Sequence, residues 1–145
     1  MKKLITALLV LAFIIWSEIS NENRKYERGI LLSNLTRGTV LHRTLRLYAT
    51  DHEGKFPKDL DELIKRNYVS REDNPHLFTV QTVDGQMDWI YRKDLTIQSD
   101  QDLILLASPK PVRGEGRYVI IRVDGRLERV TKEEYDKAMA YKGEK

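Results

Sequence analysis

The chain of 145 residues contains no cysteine. That excludes a disulfide framework, a thiolate metal site, a thiol nucleophile and a lipid-modified cysteine, and leaves packing to hold the fold. Histidine is scarce as well, with His42, His52 and His76 the only three, and no His-Glu-x-x-His or His-x-x-x-His spacing joins them. Gly-x-Ser-x-Gly, the P-loop and the dinucleotide fingerprint are all missing, and Gly114-Glu115-Gly116 is too short to cradle a phosphate. One-sided charge is lacking too. The net charge is +3, and setting aside Lys2 and Lys3 leaves +1. Bases and acids alternate along the chain, so no nucleic-acid partner is expected. With 4 prolines and 8 glycines among 145 residues, the composition is that of a folding chain.

What the chain does have is an apolar start. Met1-Lys2-Lys3 is basic, and Leu4 to Trp16 is apolar apart from Thr6. The run is shorter than the ~20 residues of an ordinary spanning helix and matches the central region of a signal segment. Ser17 or Ser20 offers a small residue for cleavage, but no Ala-x-Ala pattern follows. Residues 1–19 therefore read as a membrane anchor or signal segment. The anchor reading completes the span, residues 4–19, with Ile19 and with snorkelling by Lys2 and Lys3. The lysines stay on the cytoplasmic side, so residues 20–145 form a stalk and a single head outside it.

From Ser17 to Thr50 there is no proline, and Gly29 and Gly38 weaken a helix without ending it. Leu41, Leu45, Tyr48 and Ala49 form one apolar stripe, flanked by Val40 and Leu47, which predicts burial of the second half. Residues 21–28 are polar all round and read as the stalk. Gly54 and Pro57 end this helix. Pro57 to Arg66 has acids first and bases last, which predicts a second helix packed by Leu60 and Leu63.

Leu77 to Val83 and Gln86 to Tyr91, around Asp84-Gly85, predict a hairpin with Met87, Trp89 and Tyr91 on one face, Trp89 and Tyr91 reading as core and, as the alternative, as an exposed protein-binding patch. Leu103 to Ala107 reads as a central strand, Ser108 to Gly116 as a loop, and Tyr118–Val123 with Arg126–Val130 as a second hairpin. Thr131-Lys-Glu-Glu134 is a capping box opening a last helix. The predicted fold is α+β: a long N-terminal helix on an antiparallel sheet of four to five strands, with a short C-terminal helix.

Among single residues, His42 reads as a packed helix residue and His76 as exposed. His52, in Asp51-His52-Glu53, reads as a helix-end polar residue, with a metal or pH-sensitive turn as the alternative. Asn34-Leu35-Thr36 matches the glycosylation pattern in mid-helix.

The run Leu47-Tyr48-Ala49-Thr50-Asp51-His52-Glu53-Gly54-Lys55-Phe56-Pro57-Lys58-Asp59-Leu60-Asp61-Glu62-Leu63 resembles the end of the long helix and the following turn in type IV pilin-like proteins, above all those similar to the major pseudopilin of type II secretion. The apolar strand, the Pro/Gly-rich loop and the Asp-Gly turn leading into an acidic helix are similar too. The resemblance implies a pilin-like head, with Tyr48, Phe56, Pro57, Leu60 and Leu63 as signature packing residues. It implies no enzymatic activity and no catalytic residues, and, as partners, other pilin-like or secretion-system subunits, self-association included. The place would be the inner membrane, single-pass, with the head outside. The chain departs from the family in having no glycine before Gly29 and no acid before Glu18. Its N-terminus is thus a plain anchor or signal.

Several pseudopilins carry calcium in a loop near the sheet, so Asp100 and Asp102 of Ser99–Asp102 are the candidate metal ligands. The simpler reading is an Asx-rich turn opening a strand, because calcium takes six to eight oxygens. Otherwise no cofactor is expected. The second functional reading is a secreted or periplasmic ligand-binding module with a cleaved signal; the third is a hydrolase with scattered carboxylates.

Overall fold

A computed structural model describes residues 2–143, with side chains from Leu9 onward. One helix, α1 (Lys2–Asp51), runs unbroken for 50 residues, so neither Gly29 nor Gly38 ends it. It stops where Glu53 and Gly54 both turn left-handed, at φ 55° and 80°, and Gly54 N donates to the Ala49 carbonyl at 2.7 Å. That closes the helix as expected for a glycine that can adopt positive φ.

The second helix is shorter than its charge pattern predicts. Only α2 (Asp61–Lys65) is helical, because residues 58–60 form a turn in which Asp59 caps Glu62 N through its carboxylate. Then come β1 (Thr79–Thr82), β2 (Gly85–Asp88), β3 (Ile90–Tyr91), β4 (Ile104–Ala107), β5 (Tyr118–Arg122) and β6 (Leu127–Val130), followed by α3 (Lys132–Ala140). All pairs are antiparallel.

The expected single sheet is two. β1 and β2 pair only with each other, and β3-β4-β5-β6 form a separate four-stranded sheet. The split falls at Trp89, whose N–H donates to the Phe78 carbonyl at 3.1 Å and whose side chain goes into the core, 4% exposed. Thr82 pairs with Gly85, so the first hairpin turns at Val83-Asp84 and not at Asp84-Gly85.

The four-stranded sheet is covered on both faces. Leu41, Leu45 and Ala49 of α1 are fully buried with Leu105, Leu106, Val119 and Ile121, while Ile104, Ile120 and Val130 pack with Tyr135 of α3 on the other side. β4 is therefore buried at every position, which explains why its sequence shows no alternation. A register shift between Ile104 and Leu106 accompanies the entry of both Leu105 and Leu106 into the core under α1. Each fully buried leucine contributes about 2–3 kcal/mol by removal from water. Gly38 allows the close approach of helix and sheet, since an added Cβ would lie 2.7 Å from Ile121 Cδ1 and 3.3 Å from the Trp89 ring.

Thr131 caps α3 as predicted. Its side chain accepts from Glu134 N, and the Glu134 carboxylate accepts from Thr131 N at 2.8 Å.

Candidate functional site

α1 meets the head at Glu27, whose carboxylate accepts from Arg113 Nε at 2.9 Å and whose carbonyl lies against Gly114. Leu31 is the first core residue. The Arg113 guanidinium also lies over the Tyr26 ring, 5.8 Å from its centre. Leu9, Val10, Leu11, Phe13, Ile14, Ile15, Trp16 and Ile19 are 47–67% exposed, and the free length that carries them, from Leu9 to Lys25, is about 25 Å at the usual helical rise. Among the described residues no helix is long and apolar enough to cross a membrane. The expected span, residues 4–19, lies partly outside them, since side chains are described only from Leu9.

The five signature residues converge at the other end of α1. Tyr48 is buried, stacks on His52 at 3.8 Å between ring centroids, and donates its hydroxyl to Glu62 Oε2 at 2.9 Å. Phe56 is buried, and its N–H donates to the Leu95 carbonyl. The Pro57 carbonyl accepts from the Tyr91 hydroxyl at 2.6 Å, and burial holds that phenol well above its ordinary pKa of 10. Leu63 is fully buried and Leu60 half-buried against it.

These contacts pin the turn after α1 to the segment Leu95–Ile97 and leave an open groove of about 770 Å³ beside it. Tyr48, His52, Phe56, Glu62, Arg66 and Asp94 are among its walls. Two of the three non-glycine residues with left-handed backbone, Glu53 and Asp94, stand on this groove. Tyr68 donates to Asp51 at 2.6 Å, which raises the Tyr68 pKa.

His52 serves the helix end: its Nδ1 donates to the Tyr48 carbonyl at 2.8 Å, satisfying one of the orphan acceptors. His76 is exposed and bonded to Gln86. His42 is 5% exposed; its Nε2 donates to the Val123 carbonyl at 3.1 Å. Burial is the largest influence on its pKa and lowers it, helped by Arg46 and opposed by the Val123 bond and Asp124.

The two calcium candidates, Asp100 and Asp102, lie in the turn before β4. Asp102 pairs with Arg126, and Asp100 accepts from the Tyr141 hydroxyl at 2.6 Å and from Asp102 N in an Asx turn. Among the described residues no group of three His, Asp or Glu side chains is placed to hold a metal.

Two arrangements escaped the reading of residues alone. Asn34, in the glycosylation pattern, is fully buried and binds the Gln81 backbone through both ends of its amide. A local motif carries no trace of a partner 47 residues away. The loop Ser108–Gly116 is also more than a connector. Ser108 and Val112 are fully buried, and the loop donates and accepts along the outer edge of β1, at Pro111 O to Val83 N and Arg113 N to Gln81 O.

No family model, no curated protein and no solved structure matches the chain.

Proposed function

We propose that this chain is a membrane-anchored, extracytoplasmic, pilin-like subunit or accessory of a secretion or pilus-type assembly, working through protein contacts without catalysis. One observation carries the reading. A single helix both exposes Leu9 to Ile19 to its surroundings and buries Leu41, Leu45 and Tyr48 in the head. Eight large apolar side chains standing in water are costly, at about 25 cal/mol per Å², and a lipid or protein environment removes that cost. The signature residues Tyr48, Phe56, Pro57, Leu60 and Leu63 support the same reading by meeting at one turn. The test is extraction. Membranes from cells making the full chain are washed with high salt and then with alkaline carbonate, and the protein stays in the pellet; release by salt alone overturns the anchor.

The groove at the end of α1 favours a second reading, a ligand-binding module with a cleaved signal. Mass spectrometry separates the two. A mature chain starting near Glu18 or Asn21 favours the module, and an intact Met1 the anchor.

A further inference from the structure

The half of α1 that covers the sheet has a second side. Leu32, Val40 and Leu47 are 56%, 40% and 56% exposed, and at about 100° per residue they fall within about 80° of one another, opposite Leu41 and Leu45. Gly29, whose added Cβ would meet nothing within 4 Å, and Thr36 keep the strip low between them.

Arg28 and Arg46 border the strip and Arg43 stands within it, about 20° from Leu32, all three exposed. None of them has an ion-pair partner among the described residues, whereas Arg71, Arg113, Arg122, Arg126 and Arg129 of the head each hold a carboxylate. From Gly29 to Thr50 there is no Asp or Glu at all. The back of the helix thus carries three apolar side chains with Arg43 among them and Arg28 and Arg46 along one border, and its charge is uncompensated.

What covers it follows from shape and charge. Leu32, Val40 and Leu47 are spaced by eight and seven residues over about 22 Å, the repeat with which one helix meets another. The arginines ask for carboxylates facing them. A second copy of this chain does not offer such an element among its described residues. α2 has five residues, α3 has nine and pairs Glu133 and Asp136 with its own lysines, and the stalk mixes Glu18, Glu22 and Glu27 with Arg24 and Lys25.

We infer that the back of α1, from Arg28 to Leu47, docks an acidic amphipathic helix of a different protein. Its apolar seam lies on Leu32, Val40 and Leu47 and its carboxylates on Arg28, Arg43 and Arg46. This rests on the reading of the chain as a contact subunit and names the partner's chemistry.

The experiment places the photoreactive residue p-benzoylphenylalanine at Val40 of the full chain, in its native membrane, with the same residue at exposed Lys110 as a control. Illumination is expected to give an adduct to a second protein, and the cross-linked peptide is expected to be helical in pattern with Asp and Glu outnumbering Lys and Arg. Arg43→Glu with Arg46→Glu is expected to cut the Val40 adduct at least tenfold while membrane retention and the Lys110 products stay unchanged. Placing Lys at the partner's facing acids restores the yield. An adduct to a second copy, to lipid, or to a neutral or basic segment overturns the inference. So does no adduct, or a yield indifferent to the charge reversal. A chain released by salt that still gives the acidic adduct refutes the anchor alone, and a retained chain without the adduct refutes the docking alone.

Discussion

Asn34 and Gln81 are joined by two hydrogen bonds that copy a rung of a β-ladder. Asn34 Nδ2 donates to the Gln81 carbonyl and Gln81 N–H donates to Asn34 Oδ1, both at 2.9 Å. A helix side chain thereby satisfies the outward-facing backbone of β1, a strand edge that otherwise needs a partner or water. Asn34→Leu leaves the Gln81 N–H without a partner, while the Gln81 carbonyl keeps the Arg113 N–H at 3.2 Å. The expected loss is about 1–3 kcal/mol in urea denaturation of the detergent-solubilised chain. A loss below about 0.5 kcal/mol, the level of an ordinary surface substitution, contradicts this role.

His42 gives the head a pH dependence of known sign. Its folded-state pKa lies below the ordinary 6.5 because burial disfavours the imidazolium. The unfolded chain therefore binds the proton more readily, and stability that is fully present above pH 6.5 is lost as the pH falls through the folded value. His42→Gln, which has no proton to gain, is expected to flatten the stability profile below pH 6.5. An unchanged profile assigns the dependence elsewhere.

Two glycines of one helix answer opposite ways to substitution. Gly29→Ala adds a methyl group to open space and is expected to stabilise by about 1 kcal/mol through helix propensity. Gly38→Leu drives a side chain into Ile121 and the Trp89 ring and is expected to destabilise by about 1–3 kcal/mol. Thermal melts of the two variants move in opposite directions; a shared sign contradicts the close approach of α1 and β5.

Arg122 and Glu128 form a paired fork across β5 and the β6 edge, Nε to Oε1 at 2.7 Å and Nη2 to Oε2 at 3.0 Å. The Arg122 hydrogen bond is the chief cause of a Glu128 pKa below the usual 4.5. The pair's stabilisation is present above pH 4.5 and is lost as the pH falls through the folded value. With both side chains partly in water, Glu128→Gln is expected to cost about 1 kcal/mol at neutral pH and less in acid. A cost that grows as the pH drops contradicts the pairing.

Where structure follows from neighbours in the chain, it was legible in the residues. The Thr131–Glu134 box opens α3, the Leu41-Leu45-Tyr48 stripe goes under the sheet, and Gly54 closes α1. Trp89 was legible as core but not as the residue that divides the sheets, because an alternating run looks the same whether or not its ladder is broken. The Asn34–Gln81 clamp and the packing of Val112 on the edge of β1 depend on contacts far apart in sequence, which no local pattern encodes. Val40 and Leu47 were visible only as flanks of a buried stripe, and their exposure emerges once the sheet is seen to cover the opposite side.

On the proposed function, the free length of α1 lies in a membrane and holds the head outside the cytoplasm. The chain's lack of cysteine makes this directly measurable. Single-cysteine variants Ile14→Cys and Lys110→Cys are exposed in intact spheroplasts to a membrane-impermeant maleimide, then again after lysis. The prediction is rapid labelling of Lys110→Cys in intact cells, with Ile14→Cys protected before and after lysis. Labelling of Ile14→Cys at the rate of Lys110→Cys, or labelling of Lys110→Cys only after lysis, contradicts the account.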